Sequence, residues 1–226
     1  MLIDQLLDYF DVLLDLIYPR NVKCIVCGEE LVGSDIFDIC KVCYSKIEFV
    51  YGYEDSLDFL SFERIYAVAI YKDVVKKMIY NLKYYDKVYI AKTIAELMKE
   101  KLIEYNVEFD VIVAVPLHFT KEKRRGYNQT HLICKHLKRL LNKKYKARVI
   151  ERIKNTEDMN KLSRIQRFEN IEGAFIVKNN EAIKNKRVIL VDDVLTTGAT
   201  ANACSKVLID AGAQSVNLLT FARGYY

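Results

Sequence analysis

The stretch Val188-Ile189-Leu190-Val191-Asp192-Asp193-Val194-Leu195-Thr196-Thr197-Gly198-Ala199-Thr200 decides the fold. Its four apolar residues do not alternate, which suits a strand buried on both faces, as in a parallel sheet. Two adjacent carboxylates follow, and then a turn of hydroxyls and glycine that opens a helix from about Thr200 to Ala211. Backbone N–H groups at such a turn, with a helix N-terminus behind them, cradle an anion. Gly198 allows close approach, and the threonine hydroxyls add donors. The acids cannot hold the anion itself. They suit vicinal hydroxyls, directly or through Mg²⁺. A phosphate beside a diol describes a ribose 5-phosphate. Acids that only capped the helix would require neither the second carboxylate nor the whole Thr196–Thr200 run.

Working outward, strand and helix patterns alternate. The periodicity predicts strands at Arg64–Tyr71, Asp110–Val115, Arg148–Ile153, Gly173–Val177, Arg187–Val191 and Ser215–Phe221, with a loop after Val191. Helical spacing covers Val74–Tyr84, Tyr89–Tyr105 and Gln129–Leu141. This alternation implies a parallel sheet with helices on both faces. Ligands in such sheets bind past the carboxyl ends of the strands, which marks the residues after Val115 and after Val191.

The 226 residues are 51% apolar, enough for a folded core, and 8 Gly with 2 Pro exclude collagen-like and low-complexity classes. The net charge of +5 hides an asymmetry. Residues 1–60 hold 4 bases against 12 acids, whereas residues 121–167 hold 16 bases against 4 acids. The run Met1–Tyr18 carries Asp4, Asp8, Asp11 and Asp15 opposite an apolar face. It reads as an amphipathic helix, neither a signal peptide nor a membrane span, and a cytoplasmic chain is expected. The division expected is a helix plus metal module over 1–60 and an α/β domain over 61–226.

Six cysteines in a cytoplasmic chain argue against disulfides. Cys24, Cys27, Cys40 and Cys43 form two CxxC pairs with twelve residues between them. That spacing predicts a four-thiolate structural Zn²⁺ site with no open position for water. A redox CxxC would leave the second pair unexplained. Cys134 and Cys204 stand singly in helical patterns and read as small buried side chains.

The 188–200 stretch resembles the signature of the type I phosphoribosyltransferases. Pro116-Leu117-His118, the following Lys121, Lys123, Arg124 and Arg125, and then Gly126-Tyr127-Asn128-Gln129 narrow the likeness. So do Arg152–Thr156, Leu162-Ser163, Arg167, Asn170, Gly173–Phe175, Asn81–Tyr84 and the four cysteines. Together they resemble the ComF family, amidophosphoribosyltransferase-like proteins linked to natural competence, across almost the whole chain. One position departs: Met159 stands where the family pattern often has glutamine. The resemblance implies a type I phosphoribosyltransferase-like parallel sheet flanked by helices, with a small N-terminal zinc module. It implies that Asp192 and Asp193 meet the ribose hydroxyls of phosphoribosyl pyrophosphate, bound with Mg²⁺. Thr196, Thr197, Gly198, Ala199 and Thr200 would hold the 5-phosphate, Val194 and Leu195 would join them in binding the cofactor, and Pro116, Leu117 and His118 would face the pyrophosphate. His118 reads either as a general acid/base, beside Asp192 and Asp193 as catalytic candidates, or as a hydrogen-bonding loop residue.

Two functions fit these residues. One is a phosphoribosyltransferase acting on an unidentified acceptor, without a glutaminase half because Leu2 rather than cysteine follows Met1. The other is a module that keeps the ribose-phosphate site and serves single-stranded DNA in uptake. Basic residues beside aromatic ones suit single strands by phosphate neutralisation and base stacking. Lys121, Lys123, Arg124, Arg125, Tyr127, Asn128, Gln129 and Arg152 are the candidates. A competence helicase or another DNA-processing protein is the implied protein partner, and no membrane span is expected.

Overall fold

The computed structural model describes residues 22–32, 37–56, 60–156 and 162–224. The helix expected over Met1–Tyr18, and Met159, lie outside the described residues. In chain order the strands are β1 (Glu54–Asp55), β2 (Arg64–Ile70), β3 (Val111–Ala114), β4 (Lys144–Tyr145), β5 (Ile150–Arg152), β6 (Phe175–Val177), β7 (Arg187–Leu195) and β8 (Ser215–Arg223). The helices are α1 (Lys41–Tyr44), α2 (Asp73–Tyr84), α3 (Ile90–Glu104), α4 (Phe119–Arg125), α5 (Gln129–Leu141), α6 (Arg164–Ile171) and α7 (Ala199–Asp210).

The main sheet has the order β1-β2-β8-β7-β3-β4. Every neighbouring pair is parallel except the short β1 edge, as the unbroken apolar runs require. β7 sits at the centre and shows why. Ile189 and Val191 pack with Ile94, Met98, Ile133 and Phe221 on one face. Val188 and Leu190 pack with Ile150, Phe175, Cys204 and Leu208 on the other. Among the described residues no helix is long and apolar enough to cross a membrane.

Two expectations change. β7 does not stop at Val191: Asp192, Val194 and Leu195 stay in register with Thr220, Ala222 and Arg223 of β8. The two acids are therefore strand residues, and successive strand side chains leave on opposite faces. Strands β5 and β6 do not join the parallel sheet. They pair with each other, antiparallel, with Arg152 opposite Phe175. The basic residues after His118 form helix α4.

The four-cysteine segment shares its core with the sheet. Cys24, Val26, Ile39, Cys43 and Ile47 belong to the same buried cluster as Tyr66, Val68, Val75 and Met78. The chain then runs beside β2, with Val50 N–H donating to Val68 O at 2.9 Å and Ile70 N–H to Glu48 O at 2.8 Å.

Candidate functional site

The cysteines come together through two local devices. In the first, Gly28 N–H donates to Cys24 O at 2.9 Å, and a φ of +87° at Gly28 turns the chain back. In the second, Cys40 caps α1, which carries Cys43. The Cys40 N–H also donates to Cys24 Sγ at 3.4 Å. All four Sγ atoms lie within 4.8 Å of one another, and Cys27 Sγ is 3.7 Å from Cys40 Sγ. Bonds of about 2.3 Å from a tetrahedral Zn²⁺ place two sulfurs about 3.8 Å apart. The donors and spacing fit a metal ion such as zinc.

At the carboxyl edge of the sheet the two acids take different environments. Asp193 is 3% exposed. Its Oδ2 lies 2.8 Å from Lys83 Nζ and accepts from Gln129 Nε2 at 2.9 Å. Arg125 in turn donates to Gln129 Oε1 and lies over the Tyr84 ring, 5.5 Å from its centroid. Burial opposes the Lys83 charge, but the Asp193 carboxylate more than offsets it and raises the ammonium pKa.

Asp192 leaves on the opposite face. One carboxylate oxygen accepts from Asp193 N–H at 2.8 Å. Burial, and then the neighbouring Asp193 charge, push its carboxyl up to about 7. The Arg152 guanidinium acts on it from the same side and pulls the other way, stacked 5.7 Å from the Phe175 ring centre and donating to the Thr156 hydroxyl. Arg152 Nε is buried with no protein partner among the described residues.

Past Leu195 the chain turns at Gly198 with a φ of +81°. A Cβ there would have nothing nearer than 3.9 Å, so backbone conformation, not space, calls for glycine. The first-turn N–H groups of α7 have no acceptor within the helix. The Thr197 hydroxyl lies 3.5 Å from Ala199 N. Asn202 Oδ1 accepts from Ser61 N–H at 2.7 Å, which fixes the segment before β2 beneath this turn.

The Pro116–His118 segment follows β3 and reaches the same edge. His118 bridges to Arg152 in a parallel sense and caps α4, its Nδ1 accepting from Thr120 N–H at 3.3 Å. His118 is the N-cap residue of α4.

The nucleic-acid candidates divide. Lys123 and Arg124 are exposed. Asn128 is 2% and Gln129 3% exposed, and both are engaged inside. Asn128 Oδ1 accepts from Thr130 N–H at 2.9 Å, and its Nδ2 donates to Val115 O at 3.2 Å. The Tyr127 hydroxyl donates to Leu82 O. Buried amides with satisfied partners offer nothing to a strand in solvent, so Asn128 and Gln129 are corrected to interior positioning residues. Lys83 was visible in the sequence only as part of Asn81–Tyr84. No local pattern marks a partner 110 positions downstream.

A model of the phosphoribosyl transferase domain matches residues 81–224. Competence protein F of Haemophilus influenzae is 28% identical over 213 residues, covering 90% of this chain and 91% of that one. The DNA utilization protein YhgH of Escherichia coli is 28% identical over 166 residues, 71% and 72% of the two chains. Competence protein ComFC of Bacillus subtilis is 27% identical over 202 residues, 88% and 77% of the two. With the matched domain spanning both the Lys83–Asp193 pair and the Gly198 turn, the chain belongs to the phosphoribosyl transferase domain family, in its ComF branch.

Proposed function

We propose that this chain binds phosphoribosyl pyrophosphate as its Mg²⁺ complex and acts in the uptake and processing of single-stranded DNA during natural competence, in the cytoplasm. The observation that carries the reading is the opposed placement of the two acids. Asp193 is neutralised internally, which leaves Asp192, six residues before the Gly198 turn, as the carboxylate offered to a ligand.

The residues then divide the ligand. The first turn of α7 and the Thr197 and Thr200 hydroxyls receive the 5-phosphate. Asp192 receives the ribose hydroxyls, and ligand or Mg²⁺ beside it favours its ionised form. Pro116–His118 faces the pyrophosphate, and Arg152 supplies positive charge on the Asp192 side. Mg²⁺, when bound, neutralises charge on the pyrophosphate. If the bond at the ribose C1 breaks, positive charge develops on the sugar and the Asp192 carboxylate counters it. A Zn²⁺ ion on the four thiolates ties the amino-terminal segment to the sheet and contributes folding energy. The names of the relatives, which speak of competence and DNA utilization, support the setting.

Complementation tests this reading. In a naturally transformable host lacking its own copy, the parent chain is expected to restore transformation. Asp192→Asn at equal protein level is expected not to. Full restoration by Asp192→Asn overturns the ribose-phosphate part, and failure of the parent in its own host overturns the competence part.

A further inference from the structure

Tyr80, Tyr84 and Tyr85 stand together on the outer side of α2 and just beyond it. They are 50%, 59% and 60% exposed. The Tyr80 ring lies 4.8 Å from Tyr84 at 50° and 5.6 Å from Tyr85 at 58°. Three aromatic side chains, with Tyr80 in contact with each of the other two and every one at least half exposed, form an apolar patch of the kind that marks an interaction surface. Cations surround it. Lys76 and Lys77 are exposed one turn before Tyr80, Lys87 follows Tyr85, and Arg125 lies over Tyr84. Lys123 and Arg124 are exposed on the same α4 that carries Arg125. Asp73, Asp86 and Glu122 are the acids within α2, the turn after it and α4.

The aromatic residues in or next to the basic 121–167 segment are not available in this way. Tyr127 is tied to Leu82 O, Tyr145 to His131, and Phe168 packs against the core. Its cations are also partly engaged, with Lys143 Nζ donating to Phe109 O at 3.2 Å.

We propose that Tyr80, Tyr84 and Tyr85 form a stacking platform for single-stranded DNA, with Lys76, Lys77, Lys123 and Arg124 on its phosphates. The choice of DNA rests on the competence reading above; the choice of a single strand rests on the rings. Tilted rings present their faces in different directions, which suits splayed, unpaired bases and not the closed edge of a duplex. Complementarity of charge names a polyanion as occupant. Lys83, on the same helix as Tyr80 and Tyr84, pairs with Asp193, which joins this helix to the carboxyl-terminal end of β7.

The test is fluorescence anisotropy with labelled oligo(dT) of about 20 nucleotides, longer than the roughly 4–16 that one such site spans. The full-length parent chain is expected to bind with steep salt dependence. Tyr80→Ala/Tyr84→Ala/Tyr85→Ala is expected to lose about tenfold or more in affinity. The triple Phe variant is expected to keep it, because phenylalanine still stacks. Lys76→Gln/Lys77→Gln is expected to flatten the salt slope by about 1–2. Unchanged affinity in the triple Ala variant overturns the platform. So does a change in oligomeric state without a change in affinity, which would make the patch a self-association surface. Equal affinity for a duplex of the same length overturns the single-strand assignment. Phosphoribosyl pyrophosphate binding, measured on the same samples, separates the two proposals: oligonucleotide failure with retained sugar-phosphate binding sinks this one alone.

Discussion

Lys83 Nζ lies 2.8 Å from Asp193 Oδ2, joining the end of α2 to the carboxyl-terminal end of β7. Removing one partner of a buried pair leaves the other charge uncompensated, at about 3–5 kcal/mol. Lys83→Met is therefore expected to cost about 3 kcal/mol in urea unfolding. Lys83→Met/Asp193→Asn is expected to recover at least about 1 kcal/mol of that loss. Strict additivity of the two single changes would show that the contact contributes nothing.

The four thiolates act as a unit. Replacing Cys40 by serine is expected to drop bound zinc from about one ion per chain toward none, read by elemental analysis. Cys134→Ser and Cys204→Ser are expected to keep it, since both side chains are buried in the sheet's two cores. Because Cys24 and Cys43 share a core with β2 and α2, zinc loss is expected to lower the melting temperature of the whole chain rather than release a separate lobe.

Gly198 sits at a φ of +81° with room for a methyl group. Gly198→Ala is then a test of backbone strain alone, at about 1–2 kcal/mol. The same change is expected to displace the first-turn N–H groups of α7 and weaken inorganic phosphate binding, measured by calorimetry. Unchanged stability would mean that the turn relaxes without cost.

The carboxyl of Asp192, raised to about 7, gives a stability term with a definite sign. Between about pH 4 and 7 the folded chain keeps a proton there that the unfolded chain has released. That term is fully present below about pH 4 and is lost as pH rises through about 7. Asp192→Asn lacks it. The variant is thus expected to gain on the parent by up to about 1.4 kcal/mol per pH unit through that window. His131, pulled down to about 4 by burial and by Lys135 and Arg148, contributes the opposite slope below about pH 6.5 in both proteins. A pH-independent difference between variant and parent would contradict a raised Asp192.

Much of the fold was legible because buried parallel strands write themselves as continuous apolar runs. Asp110–Val115 and Arg187–Val191 both sit where those runs predict, and Gln129–Leu141 matches its helix at both ends. The cysteine spacing likewise encodes its own geometry. Three kinds of information were not local. The extension of β7 through Asp192–Leu195 depends on β8 as a partner, and the β5–β6 pairing on a strand more than twenty residues away. The role of Gln129 depends on Asp193, 64 positions downstream. The tyrosines at 80 and 84 have visible helical spacing, but only the fold shows that they stay in water while Tyr127 and Tyr145 go inside.

The central claim is that Asp192 and the Gly198 turn together form a ribose-phosphate site. Thermal unfolding with and without phosphoribosyl pyrophosphate and Mg²⁺ tests it most directly. A ligand at about 100 times its dissociation constant stabilises the folded state by about 2.7 kcal/mol, and the parent melting temperature is expected to rise by several degrees. Asp192→Asn, which keeps the size of the side chain and the Asp193–Lys83 pair, is expected to lose most of that rise. An unshifted parent, or an equal rise in Asp192→Asn, would contradict the account.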